Sequence, residues 1–81
     1  MGADDIKPRL RAFCSLRAPG LADDDDIFEV GGVNSLFAIE LLTFVEESFS
    51  IALEDEDLER KNFSSINAMA VLVGRKLDAQ R

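Results

Sequence analysis

Gly31-Gly32-Val33-Asn34-Ser35-Leu36 opens an apolar run, Phe37-Ala38-Ile39-Glu40-Leu41-Leu42-Thr43-Phe44-Val45-Glu46-Glu47-Ser48-Phe49, and the reading of this stretch decides the fold. Paired glycines ahead of a long apolar segment read as a loop that delivers one serine to the mouth of a helix. Placed there, Ser35 is exposed and sits in the positive field of the helix N-terminus. No base stands beside it in sequence, so Ser35 looks like an attachment point rather than a nucleophile. The plainer alternative makes it an N-cap and nothing more.

At about 100° per residue, Ala38, Leu41, Leu42, Val45 and Phe49 share one arc of this helix, with Ile39 at its edge. That arc is the expected core face. The opposite arc holds Glu40, Thr43 and Glu47, and with them Leu36, Phe37 and Phe44. Large apolar residues rimmed by acids on an outward face mark a partner site. Leu36, Phe37, Glu40, Phe44 and Glu47 are therefore the candidate docking residues, unless the preceding loop folds over the apolar ones.

Upstream, Ile6, Leu10, Phe13 and Arg17 recur at helical spacing, flanked by Cys14 and Leu16, and predict a first helix over about residues 5–17. Asp4 and Asp5 can cap it, Pro8 falls in its first turn, and Arg17-Ala18-Pro19-Gly20 ends it. Cys14 reads as a small buried hydrophobe. Residues 21–34 then form a long first loop, which must be pinned to the core by Leu21-Ala22, Ile27-Phe28 and Val30. Its four aspartates, Asp23 to Asp26, fail the calcium-loop pattern: counted from Asp24, position five is Phe28 and position six Glu29. They read as a solvated charge run.

Downstream, Ser50-Ile51-Ala52-Leu53 is a link too short for a strand. Glu54 to Arg60 predicts a short third helix capped by Asp55 and anchored by Leu58. Ser64 or Ser65 caps a fourth helix, with Phe63 as a possible staple and Ile66, Met69, Ala70, Val73 and Leu77 on its buried face, ending near residue 78. No period-two pattern competes. The expectation is one all-α domain over residues 1–81, with six phenylalanines supplying its aromatic core.

Charge narrows the partners. The net charge is −7, and from residue 18 to 60 thirteen acids face a single base, Arg60. The remaining bases are dispersed near the two ends, too scattered for a phosphate-binding stripe, which argues against nucleic acid and for proteins with a basic docking patch. One cysteine allows no internal disulfide, and the absence of histidine removes the usual general base, the common nucleophile triads and most zinc sites. Gly31-Gly32 lacks the lysine of a P-loop. No catalytic residue and no metal ligand is expected. A reducing compartment fits, and with no signal peptide, spanning segment or myristoylation serine the expected location is the cytoplasm, as a monomer.

Gly32-Val33-Asn34-Ser35-Leu36, with Phe37 to Leu42 and Glu46-Glu47-Ser48-Phe49, resembles the attachment motif and second helix of the acyl carrier protein family, where the motif runs glycine, hydrophobic, aspartate, serine, leucine. Asp26-Ile27-Phe28-Glu29-Val30-Gly31 resembles the segment leading into that motif, and Asn62-Phe63-Ser64-Ser65-Ile66 the start of the last helix. The resemblance implies a four-helix carrier-protein bundle with a long first loop and a short third helix. It implies 4'-phosphopantetheine on Ser35, flanked by Asn34 and Leu36 and transferred from coenzyme A by a phosphopantetheinyl transferase. An acyl, hydroxyacyl or aminoacyl group would ride on it as a thioester, placed by a loading enzyme and passed to a downstream synthase or transferase. Asn34 departs from the motif's aspartate, and Phe37 stands where fatty acid carriers often have an acid. Both departures point toward a discrete carrier of polyketide, nonribosomal peptide or antibiotic biosynthesis. The rival expectation is an unmodified acidic helical module that acts as a binding or regulatory subunit.

Overall fold

The computed structural model describes residues 3–29 and 35–80, and for Ala3 and Asp4 the backbone only. Val30, the glycine loop and Asn34 lie outside the described residues. Among the described residues four helices follow one another: α1 (Ala3–Cys14), α2 (Ser35–Phe49), α3 (Arg60–Phe63) and α4 (Ile66–Ala79), with a 3-10 turn at Asp55–Asp57 before α3. No strand occurs among the described residues.

α1 buries Ile6, Leu10 and Cys14, one side chain per turn, against α4 and α2. It starts two residues before the expected point and stops three before the expected end, so Pro8 lies inside the helix rather than in its first turn. After Cys14 the chain folds back, with the N–H groups of Arg17 and Ala18 both donating to the Cys14 carbonyl at 3.1 and 2.9 Å. Leu16 therefore leaves the helical face and is exposed. Gly20, at φ 82°, takes the left-handed conformation that closes this turn.

The first loop is fastened at both apolar clusters, since Leu21 and Ile27 are buried in the core. Polar ties add to this. Arg11 pairs with Asp23 and donates to the Leu21 carbonyl at 2.7 Å, and the Ile27 N–H donates to the Ser64 carbonyl at 2.6 Å. The aspartates are more than a solvated run: Asp25 Oδ2 accepts from the Ala22 N–H and Asp26 Oδ1 from the Phe28 N–H, each at 2.9 Å. Such side-chain turns replace the backbone partners that a loop lacks.

α2 has the expected limits. Ser50 ends it at φ 54°, and the Ile51 N–H closes back on the Glu46 carbonyl at 3.2 Å, a C-terminal geometry more often built on glycine. The third segment differs from expectation. Glu54, rather than Asp55, caps the 3-10 turn, whose carboxylate Asp57 accepts from the Glu54 N–H at 2.9 Å. Leu58, at φ −86° and ψ 40°, leaves the helical region, so helix resumes only at Arg60. Ser65 caps α4, its hydroxyl accepting from the Ala68 N–H at 3.0 Å. Ile66, Met69, Leu72 and Val73 carry the α4 face into the core.

Candidate functional site

Ser35 is the first residue of α2 and is exposed. It heads a helix of fifteen residues, so an anion attached to its hydroxyl lies at the positive end of the helix dipole.

The buried face of α2 is Phe37, Leu41, Val45 and Phe49. Compared with the expected arc, the core side is turned by roughly 35° toward Phe37. Two expectations are corrected by this turn. Phe37 is 1% exposed and is a core residue, not a docking residue. Ile39, placed at the edge of the core, is 62% exposed. α1 supplies the cover: the Phe13 ring stacks on both Phe37 and Phe44, with centroids 5.4 and 4.4 Å apart and planes within 13° and 3°. Phe44 also meets Phe49 edge-on at 6.3 Å, so this second docking candidate is a half-buried packing residue. The outward stripe of α2 is Leu36, at 60% exposure, with Ile39, Thr43 and Glu47, bordered by the half-buried Glu40. Arg17 lies beside that border, 3.9 Å from Glu40 Oε1 and with its guanidinium 5.9 Å from the Phe37 ring centre.

On the other flank of α2, one and two turns along from Ser35, Ala38 and Leu42 open onto a groove of about 380 Å³. Leu41 shares that wall, Phe28 comes from the first loop, and Leu58, Glu59, Arg60 and Phe63 form the far wall. Leu58, expected to anchor the third helix, is a half-exposed wall of this groove instead. The groove was not legible in the sequence. The signal available was a short segment with apolar residues only at Leu58 and Phe63, too few to close against a neighbouring helix. Arg60 spans from the far wall to the loop, with its guanidinium 4.8 Å above the Phe28 ring and 3.5 Å from Glu29 Oε1.

The far wall is tied to α4. Lys76 Nζ lies 2.7 Å from Asp57 Oδ2 and 3.8 Å from Glu54 Oε1, and the Asn62 side-chain amide donates to the Asp57 carbonyl at 3.0 Å. The Lys76 hydrogen bond, helped by the Glu54 N–H, holds the Asp57 carboxyl below its usual range, and the same bond raises Lys76. Burial pushes the Cys14 thiol up to about 11, against a smaller opposing effect of Arg11. That thiol is no nucleophile at neutral pH. Among the described residues no group of three or more metal-ligating side chains occurs, and no helix is long and apolar enough to cross a membrane.

Set beside known proteins, this arrangement has clear relatives. The family model described as "Phosphopantetheine attachment site" matches residues 4–73. The chain is 34% identical over 77 residues to an aminoacyl carrier protein of Agrobacterium fabrum, covering 93% of this chain and 92% of that one. It is 34% identical over 55 residues to a D-alanyl carrier protein of Lactococcus lactis, covering 68% and 70% respectively. Among solved structures it is similar, with a TM-score of 0.75 and 28% identity over 86% of this chain and 97% of the other, to a chain in the crystal structure of an engineered Bradyrhizobium japonicum glycine:[carrier protein] ligase complexed with carrier protein from Agrobacterium tumefaciens and ATP. The family's prosthetic group is covalently attached 4'-phosphopantetheine, and its members are carriers that catalyse no step themselves. The exposed first residue of α2 and the open groove along the same flank fit such an arm. By its match along most of its length, this chain belongs to the phosphopantetheine-binding carrier protein family.

Proposed function

We propose that the chain carries an aminoacyl group as a thioester on a phosphopantetheine arm attached at Ser35. The observation that carries this reading is the placement of Ser35: exposed and first in α2, one and two turns before Ala38 and Leu42, which line the groove. The names of the relatives support the cargo, since they are aminoacyl and D-alanyl carriers and the structural neighbour belongs to a complex with a glycine ligase.

The arm supplies a terminal thiol for thioester chemistry. This chain supplies the rest. Ser35 Oγ bears the phosphodiester, and the α2 N-terminus stabilises its charge. The Leu36, Ile39, Thr43 and Glu47 stripe offers apolar contact ringed by acid to a loading enzyme with a basic patch. With Phe37 in the core, one of the two departures that pointed to polyketide or nonribosomal peptide biosynthesis loses its bearing on partner choice.

The test is to incubate the apo protein with coenzyme A and a broad-specificity phosphopantetheinyl transferase and measure intact mass. One phosphopantetheine of added mass, lost in Ser35→Ala, is expected. Absence of the gain, or its persistence in Ser35→Ala, overturns the assignment and leaves the unmodified binding module. Offering the holo protein to an aminoacyl:carrier ligase with ATP and a panel of amino and fatty acids then tests the cargo. Loading by fatty acids alone refutes the aminoacyl reading.

A further inference from the structure

Given the reading that Ser35 bears a phosphopantetheine arm, its phosphodiester places a permanent negative charge in the most acidic part of the molecule. From Ala18 to Glu59 the chain has thirteen carboxylates and no base. The first base after this run is Arg60, and among the described residues it is the only cation lining the groove. Arg17 lies on the opposite flank of α2, beside Phe37 and Glu40, and Lys76 is committed to Asp57.

Arg60 is fixed at its backbone and loose at its tip. It opens α3, and the turn before it is fastened by the Lys76 bond to Asp57 and by the Asn62 amide on the Asp57 carbonyl. Its guanidinium reaches back to the first loop, 4.8 Å over the Phe28 ring and 3.5 Å from Glu29 Oε1, with the Arg60 and Glu29 side chains 64% and 76% exposed. A pair that long and that exposed is worth little and holds neither partner in place. Ala38, on the facing wall of the groove, lies one helical turn past Ser35, so the two are neighbours on one face of α2. A guanidinium presents paired N–H donors matched to phosphate oxygens, a stronger contact than one long approach to a carboxylate.

We propose that Arg60 is a positioning residue for the arm's phosphodiester. Once Ser35 is modified, the guanidinium leaves Glu29 and hydrogen-bonds the phosphate, sharing its charge with the α2 N-terminus. Glu29 is released to solvent. The exchange ties the start of α3 to the root of the arm, and makes the Arg60–Glu29 contact a feature of the unmodified chain.

The experiment uses the full chain before and after phosphopantetheine transfer, verified by intact mass, in the native sequence and in Arg60→Met, Arg60→Lys and Glu29→Gln. The Arg60 Nε–H and the arm's phosphorus are followed by NMR. On modification the native Arg60 Nε–H is expected to shift, and its exchange with water to slow by roughly two- to fivefold, the range an exposed ion pair supports. The phosphorus resonance should differ between the native protein and Arg60→Met, and the difference should fade between about 0.05 and 1 M salt as the Debye length shrinks. Arg60→Lys should recover part of that difference, keeping the charge without the paired donors. Glu29→Gln, which removes the competing carboxylate, should enlarge it. A native phosphorus resonance identical to that of Arg60→Met, or one that Glu29→Gln leaves unmoved, overturns the exchange. If Arg60→Met does not fold, the native Arg60 Nε–H decides alone, and no change in it on modification overturns the proposal. Failure of the carrier reading would appear earlier and separately, as absence of the mass gain at Ser35.

Discussion

Replacing Phe37 with alanine separates a packed α2 from one that displays its aromatic ring. Phe37 is 1% exposed and stacks on Phe13, which is itself sandwiched against Phe44. Truncating a buried phenylalanine costs about 3–5 kcal/mol, cavity included. A domain of 81 residues, at roughly 0.05–0.15 kcal/mol per residue, has about 4–12 kcal/mol in all. Phe37→Ala therefore removes a large part of the total stability. With a urea slope of about 1.5 kcal/mol/M, the unfolding midpoint falls by about 2–3 M. Leu36→Ala, one residue away on the exposed stripe, should change stability by no more than about 0.5 kcal/mol. Phe44→Ala should fall between them, since its ring is half-buried but stacked. The assay is equilibrium urea unfolding of the three variants by far-UV circular dichroism. A Phe37→Ala midpoint no lower than that of Leu36→Ala refutes the placement of α2, and would return Phe37 to the docking surface.

Ser65→Ala should cost about 1 kcal/mol by removing the α4 cap, and so lower the Tm by about 4–8 °C; an unchanged Tm would show that the Ala68 N–H finds another acceptor. Lys76→Met should lower the Tm at neutral pH. Asp57 is held below its usual range, so its contribution is complete above the unfolded value of about 3.9 and is lost as pH falls through the folded one. Lys76 is raised, so its contribution is complete below about 10.4 and is lost as pH rises through its folded value. The Tm difference between the two proteins should thus narrow at both extremes; a difference that stays constant from acid to alkali refutes the ion pair. Leu36→Ala and Glu47→Lys should slow loading by the aminoacyl ligase while the melting curve stays nearly unchanged, and equal loading rates would remove that stripe from the interface. Cys14, buried and titrating at about 11, should resist iodoacetamide at neutral pH until urea unfolds the chain, as followed by mass.

The sequence was most informative where periodicity and chemistry agreed. The limits of α2 and α4, a serine cap at Ser64 or Ser65 and the buried Ile6, Leu10 and Cys14 could all be read from spacing, because each is a local pattern that the packed structure leaves intact; the structure chooses Ser65. The rotation of α2 could not. Leu36, Phe37, Ile39 and Phe44 are apolar around most of its circumference, so the wheel alone does not say which side is buried. The answer lies in α1, more than twenty residues away, whose Phe13 claims the Phe37 and Phe44 side and turns Ile39 outward. The groove escaped for the same reason: its walls are Phe28, Ala38, Leu42 and Leu58, each read separately as a loop anchor, a core position or a helix anchor.

That rotation matters for function as well as packing. It sets Ala38 and Leu42, one and two turns along from Ser35, on the groove and leaves Leu36, Ile39 and Glu47 on the adjoining outward stripe. Ser35, the proposed attachment point, therefore lies between two surfaces of different character. The stripe is apolar and edged by acid, and the groove is lined mostly by apolar side chains. A helix with a single apolar face could offer one or the other. The apolar excess of α2, which obscured its orientation in the sequence, is what allows one helix to pack the core, expose an apolar stripe and wall a groove.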